Sequence, residues 1–496
     1  MKNSSIPQTI QSEIDKLLGL CTDFEHSESS VHTMEQSILK QLLILGLSLL
    51  QHILKQKLKQ ESSSKIFEVG EQKAKKKGFC KRYYLSLFGL LSFERQSYFA
   101  PSVGKIYPFD DELNFPKESA WSYVLQELVA ENASENDYTE SVRVLNKLLN
   151  LNLSSKSSQR NIINLGDTVE AFYAVQKPKM DLEGSCYAVS FDGKGVPKIK
   201  RKPASEAGCQ PKKRLNKGEK PNLMQVATVV VVSSFLPKVR SVESLLNGLM
   251  DTPLSKKESN KNSADSKKEN DNRWHKNIHR RAFLGNQEKA IFYGIKQIKE
   301  RIEKNGGGRF IVPMDAGIGL DNKVLEAVKK YELEESFDGI ILDIIHVTEY
   351  VWSAANAILG ENSKQRYNWV RSILKDILEG NITRVIHDLR RITEKAQLSK
   401  SQIEQVEKTI NYFSNHKSKM AYNIYIQKGY PISSALVEST CGHLVKERME
   451  QTGMRWSTLG AQNLLDIRAV KQNGDMEKFM DFFIKKQHPC AYNIAS

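Results

Sequence analysis

Ser185-Cys-Tyr-Ala-Val-Ser-Phe-Asp192-Gly-Lys-Gly-Val196 reads as a β-strand that carries a carboxylate to its end. Tyr187 to Phe191 have the period-2 character of a strand, and the glycines that follow mark a change of backbone. Working outward, Met224-Gln-Val-Ala-Thr-Val-Val-Val-Val-Ser233 is a second strand, rich enough in β-branched residues to be buried. A third strand is sought around Lys238 to Val242. A helix from Gln287 to Lys304 stops at Gly306-Gly-Gly308, and the strand Arg309-Phe-Ile-Val-Pro-Met314 then delivers Asp315. A helix from Lys323 to Tyr331 leads to the strand Phe337-Asp-Gly-Ile-Ile-Leu342, which ends at Asp343. This succession predicts an α/β fold with a mixed sheet. Its first strand is central, and the strand before Asp315 pairs parallel to it after a helical crossover, so that Asp192 and Asp315 converge.

A third carboxylate is expected from the helix in Pro431-Ile-Ser-Ser-Ala-Leu-Val-Glu438-Ser-Thr-Cys-Gly-His-Leu-Val-Lys-Glu-Arg-Met449. Ser433 or Ser434 can cap it, Gly453 can end it, and Glu438, Cys441, Gly442, Val445 and Met449 recur at the spacing of an inward face. Each of the three carboxylates lies beside apolar sequence, where an unpaired charge is costly. An ion pair of Glu438 with Arg448, Arg455 or Arg468 would meet that cost. So would a pair of hard divalent cations, held roughly 3.5–4 Å apart by carboxylate oxygens and suited to in-line displacement at a phosphodiester. Asp343 competes with Asp315 for the second position, because Asp343-Ile-Ile-His346-Val-Thr-Glu349 can also be read as a ligand set.

At 496 residues the chain exceeds one ordinary domain. Lys+Arg 73 against Asp+Glu 58 leaves +15 and a pI near 9.2. That balance favours a polyanionic partner, nucleic acid first, with a ribosomal or membrane-surface role as the competing reading. Between Lys194 and Lys220 ten lysines and arginines face two glutamates. Lys194, Lys198, Lys200, Arg201 and Lys202 are the candidates there for phosphate contact beside Asp192, and the alternative is a solvated hairpin. Arg448, Arg455 and Trp456 are further candidates for contact with DNA. The six cysteines show neither a CxxC pair nor zinc spacing, and are expected to be reduced thiols. The first residues lack the apolar core of a signal peptide, and no segment is expected to span a membrane. Leu42 to Leu50 suit a core helix or, as a second choice, a dimer contact. The chain is expected to be cytoplasmic.

The organisation expected is five segments. Residues 1–118 are helical with a short hairpin from Phe79 to Tyr98 about Gly89. Residues 119–180 hold helices at Trp121 to Ala130, Tyr138 to Leu149 and Ser155 to Tyr173, compatible with a helix-turn-helix whose recognition helix carries Ser158, Gln159 and Arg160. Residues 181–346 supply the core strands, interrupted by a Lys/Ser/Asn-rich linker from Ser255 to Arg273. A helical insertion occupies 347–430, where Trp352 and Trp369 are expected in core packing, with the holding of an unstacked base as the alternative. The Glu438 helix and C-terminal helices fill 431–496.

Together these segments resemble the ISKra-type insertion-sequence transposases of the DDE superfamily, and the resemblance covers most of the chain. It rests on Asp192-Gly-Lys-Gly-Val196, Lys217-Gly-Glu-Lys220, Met314-Asp315-Ala-Gly317, Leu342-Asp343-Ile-Ile-His346-Val-Thr-Glu349-Tyr-Val-Trp352 and Val437-Glu438-Ser-Thr-Cys441. It continues through Arg448, Gly453-Met-Arg455-Trp456-Ser457 and Leu465-Asp-Ile-Arg468-Ala469, with Tyr107-Pro-Phe-Asp110 and Leu113-Asn-Phe-Pro116 upstream. Two positions depart from the pattern: Ala316 stands where a glycine is expected, and Ser434-Ala435 replaces Ser-Gly. The resemblance implies a ribonuclease-H-like core in which Asp192, Asp315 and Glu438 are catalytic and hold two Mg²⁺ ions, with Mn²⁺ able to substitute. Asp343 and His346 are then their support. It also implies cleavage at transposon ends and strand transfer, with terminal inverted repeats, target DNA and a second copy in a homodimer or larger synapse as partners. The competing readings are a nuclease or resolvase with the same core, and a DNA-binding remnant without catalysis.

Overall fold

The computed structural model describes residues 7–25, 28–60, 67–69, 72–178, 184–199, 223–250, 274–317, 319–395, 398–451, 453–488 and 493–494. The chain divides into two compact units, Met1–Val175 with Asp466–Ser496, and Gln176–Leu465.

The first unit begins with α1 (Gln8–Glu25) and α2 (Val31–Gln60). The short strands β1 (Phe67–Val69) and β2 (Gln72–Lys73) follow, then an antiparallel meander of β3 (Lys75–Ser86), β4 (Gly89–Ala100) and β5 (Gly104–Ile106). The hairpin turns where expected, at Gly89, whose φ of 132° favours glycine. One face of the meander packs Tyr84, Leu91 and Phe93 against Leu47, Leu50 and Leu54 of α2 and against Phe109 and Phe115. Asp110, in α3 (Pro108–Glu112), lies beneath it and pairs with Arg82 at 2.9 Å and Arg95 at 2.7 Å. The expectation of a core helix for Leu42 to Leu50 does not hold: among the described residues of α2 only Leu54 is buried, and Leu42 and Leu49 are exposed. Nor does the expectation that no segment reaches spanning length, because α2 is long and apolar enough to cross a membrane by length and composition. Lys40 and His52 bracket too short a stretch to reveal this, and the continuous helix makes the difference.

Three helices follow, α4 (Tyr123–Glu135), α5 (Tyr138–Leu149) and α6 (Ser155–Val175). Ser122 and Asp137 cap the first two through the backbone N–H groups of Leu125 and of Thr139 and Glu140. Ser158 is fully buried against Ser141, 3.1 Å away, which leaves Gln159 and Arg160 of the expected recognition residues exposed. The C-terminal helix Met476–Gln487 belongs to this unit and sets Phe479 against Phe172 of α6.

The second unit is built on β6 (Cys186–Pro197), β7 (Met224–Phe235), α7 (Val242–Met250), β8 (His275–Leu284), α8 (Gln287–Lys304), β9 (Arg309–Met314), α9 (Leu320–Lys330) and β10 (Phe337–Leu342). The fold is mixed α/β, and the sheet order is β10-β9-β6-β7-β8, antiparallel from β6 to β8 and parallel from β6 to β10. Two expectations need correction. Lys238 to Val242 is no strand: Pro237 cannot donate to a ladder, and the third strand is β8, paired with β7 from Ala227↔Leu284 to Phe235↔His275. And β6 does not end at Asp192 but continues to Pro197, which pairs with Met224. Tyr187, Val189 and Phe191 face α8 and α9, packing with Ile291, Ile295, Val312 and Val324. Ala188 and Ile311 face the opposite layer of α10 (Ile344–Leu359), α11 (Gln365–Leu378), α12 (Ile382–Lys395), α13 (Lys400–His416) and α14 (Tyr422–Gln427). Trp352 and Trp369 pack partly buried against this layer.

The expected helix from Pro431 to Met449 is broken. Residues 431–434 are not helical, α15 spans Ala435–Thr440, a π-type segment spans Cys441–Lys446, and α16 spans Glu447–Met449 before α17 (Thr458–Gln472). Single π turns of this kind shift the phase of a helix and recur at functional sites.

Candidate active site

β6 and β9 pair in parallel from Cys186↔Arg309 to Ala188↔Ile311, so both strands run toward their aspartates, Asp192 and Asp315, in the same direction. Met314 pairs with Leu342, which sets Asp315 beside Asp343. Asp315 and Asp343 thus follow the carboxyl ends of the parallel strands β9 and β10, where open α/β sheets present functional groups, while Asp192 lies within β6, which runs on to Pro197.

Asp343 is fully buried. It caps α10, one carboxylate oxygen accepting from the Ile345 amide at 2.7 Å, while the other accepts from the Ser434 amide at 3.1 Å and from the Ser434 hydroxyl. Burial pushes its pKa up to about 6, against the pull of those donors. Ser434, expected as a helix cap, makes no side-chain cap bond. Its hydroxyl lies between Asp343 and Glu438, 3.3 Å from Oε1 of the latter, and has one proton to give.

His346 stands one turn into α10, where its ring reaches three other carboxylates. Nε2 is 3.4 Å from Glu438 Oε1 and 3.8 Å from Asp315 Oδ2, and Nδ1 is 3.2 Å from Glu349 Oε2. The bond to Glu438, then the charges of Asp315 and Asp343, outweigh burial and hold the imidazole pKa up to about 10. The same bond to His346 lowers the pKa of Glu438. Asp315 is more open, 56% exposed, with Oδ1 accepting from the Ala316 amide at 2.6 Å.

Asp192 is half-buried and accepts from the Gly193 amide at 2.6 Å. The thiol of Cys441, one turn beyond Glu438, hydrogen-bonds to it, and burial first, then the Asp192 charge, raise that thiol's pKa. Asp315, Asp343, His346 and Glu438 therefore form one cluster, and Asp192 joins it through Cys441. Among the described residues one ligand atom each from Asp343, His346 and Glu438 falls within a mutual 4.8 Å. The donors favour a different set for a hard cation. Both Asp343 oxygens already accept from N–H or O–H groups, and an imidazole nitrogen suits softer metals, whereas Asp315 is exposed and Asp192 and Glu438 are partly so.

The basic candidates separate. Lys194, partly exposed, is 3.5 Å from Glu450, Lys198 bonds to the Thr458 hydroxyl, and Arg455 is exposed. Arg448 and Trp456 are 1% and 6% exposed, which corrects their expected contact with DNA: Arg448 lies over the Trp456 ring at 5.0 Å, and the indole N–H donates to the Met449 carbonyl. Their burial follows from a backbone ladder, in which Trp456 bonds to Pro197 and Ile199. Lys200, Arg201 and Lys202 lie outside the described residues, as do Lys217 to Lys220 and Ser255 to Arg273. Arg468, considered as a partner for Glu438, pairs with Glu135 at 3.1 Å. Cys21, Cys80, Cys186 and Cys441 are free thiols.

Comparison with protein-family models gives no match, and comparison with curated proteins gives none either.

Proposed function

We propose that this chain is a metal-dependent DNA-processing enzyme with a ribonuclease-H-like core, in which Asp192, Asp315 and Glu438 form the reaction centre. Within that class we read it as a DDE transposase of the ISKra type, acting on transposon ends and target DNA. The observation that carries the reading is a sheet ordered β10-β9-β6-β7-β8 in which Asp192 lies on β6 and Asp315 follows β9, with His346 in reach of both Asp315 and Glu438. A ribonuclease-H-like core needs that order, with its first strand central, a hairpin on one side and a crossover on the other. The motifs quoted from the sequence supply the narrower reading.

Two Mg²⁺ ions bound by Asp192, Asp315 and Glu438, with Mn²⁺ as a substitute, would supply Lewis-acid activation of the attacking oxygen and stabilisation of the leaving one. The chain's own residues hold that centre in shape. Asp343 ties the start of α10 to the segment entering α15 through Ser434, which fixes where Glu438 stands. His346 places positive charge between Asp315 and Glu438, and so keeps two like charges near each other. Lys194, Lys198 and Arg455 are the basic candidates within the described residues that would meet phosphates. Two copies would act together, because two ends must be joined.

The reading is tested by incubating the protein and Mg²⁺ with a pre-cleaved donor end bearing a free 3′-OH and a supercoiled plasmid. Joined donor–plasmid product supports a transposase. No joined product, from a protein that does cut an uncleaved transposon end under the same conditions, would reduce the assignment to a nuclease.

A further inference from the structure

The β3–β4–β5 sheet buries one face, and strand register assigns Phe79, Lys81 and Tyr83 of β3 and Leu90, Ser92 and Glu94 of β4 to the other. An antiparallel sheet with one solvated face normally presents polar side chains there. This one presents rings: Phe79 is 70% and Tyr83 54% exposed, with the Lys81 amine 5.1 Å from the Tyr83 centroid. Six of the ten residues from Lys73 to Arg82 are basic and none is acidic, and Lys75, Lys76 and Lys77 are all exposed. Lys77 in turn lies 5.7 Å from the Phe99 ring, itself exposed.

We propose that this open sheet face binds single-stranded DNA, with bases stacked on Phe79 and Tyr83 and the backbone met by Lys81 on that face and by the exposed run Lys75, Lys76 and Lys77 at the start of β3. The basic run fits a polyanion, and the rings decide its form. In a duplex the base faces are already stacked on one another, so a ring on a sheet surface meets only sugar and phosphate. An unpaired base offers its π-face to the ring. Phe79 and Tyr83 sit on the same face of one strand, roughly 13 Å apart at ~3.3 Å per residue, which leaves room for a base on each with Lys81 between them. The proposal is separate from the carboxylate centre and needs no metal.

The test uses the full chain in a chelator-containing buffer and measures fluorescence anisotropy with a labelled thymidine oligonucleotide, its duplex with adenine, and the corresponding uridine oligonucleotide. The expected result is tighter binding of the single DNA strand than of the duplex. Phe79→Ala and Tyr83→Ala should each weaken single-strand binding by roughly five-fold or more, as loss of one base–aromatic stack does, and leave duplex binding little changed. Phe79→Trp should retain it, which separates loss of a ring from loss of folding. Equal loss for single strand and duplex, no loss with either alanine variant, or tighter binding of the uridine strand would each overturn the proposal. Because no cleavage is read, a protein that binds as stated but never cuts would leave this inference standing while the proposed function fell.

Discussion

Ser434 holds two carboxylates with a single proton. It is 2% exposed, its amide and hydroxyl both serve Asp343, and the hydroxyl also approaches Glu438. Ser434→Ala leaves a fully buried carboxylate short of one donor, and should cost about 1–3 kcal/mol in denaturant unfolding, as an unsatisfied buried polar group does. End cleavage should fall with it, because Glu438 loses a fixed neighbour. His346 gives a second prediction. Its folded pKa of about 10 lies above the ordinary 6.5, so its contribution to stability is fully present below pH 6.5 and is lost as pH rises through 10. The metal-free protein should therefore lose more stability between pH 6.5 and 10 than His346→Gln does, and parallel pH profiles would contradict the charge placement. Asp343 runs the same way in a lower window, with stability present below its ordinary 3.8 and lost as pH rises through about 6. Strand order in the sequence favoured Asp315 and kept Asp343 as the alternative, but it carried no sign of the bonds that bear on the choice. Their ranking depends on which oxygens are already taken by donors, and two of those donors come from Ser434, far along the chain.

Elements were legible in proportion to how strongly their pattern repeats. The strands before Asp315 and Asp343 and the helix Gln287–Lys304 stand where the apolar periodicity put them. Strand β8 escaped because it is an edge strand whose sequence, His275-Lys-Asn-Ile-His-Arg-Arg281, offers no apolar alternation; backbone pairing with β7 recruits it. The break in the Glu438 helix left no signal either, since a 3.6-residue reading assumes the phase that the π-type segment alters. Two glycines test this layer. A Cβ on Gly294 of α8 would come within 3.0 Å of Val230, Val189 and Phe191, so Gly294→Ala should cost roughly 1–3 kcal/mol through overpacking against β6 and β7. A Cβ on Gly442 meets nothing within 4 Å, so Gly442→Ala should be neutral or stabilising by up to about 1 kcal/mol. Thermal unfolding of both variants checks the pair, and the reverse order would contradict the packing described.

At the scale of the molecule, the charge of +15 pointed to a polyanion without saying where it binds. The carboxylate end of the second unit and the aromatic, basic sheet face of the first are distinct surfaces with distinct chemistry. The Lys73–Arg82 run was present in the sequence, but exposed rings become informative only when a sheet assigns them to its open face. Helix α2 shows the opposite limit: its apolar sequence suggested a core, yet Leu42, Leu49 and others of its large apolar side chains are exposed within the described residues, and only Leu54 is buried. The central claim is that Asp192, Asp315 and Glu438 act as one metal-dependent centre. It is tested most directly by cleavage of a labelled transposon-end duplex in Mg²⁺, comparing wild type with Asp192→Asn, Asp315→Asn, Glu438→Gln and Asp343→Asn under conditions where all bind the DNA. The account predicts that the first three abolish cleavage and that Asp343→Asn weakens it without abolishing it. Cleavage that survives Asp315→Asn but vanishes with Asp343→Asn would move the second ligand, and a wild-type protein that binds but does not cut with any divalent cation would contradict the claim outright.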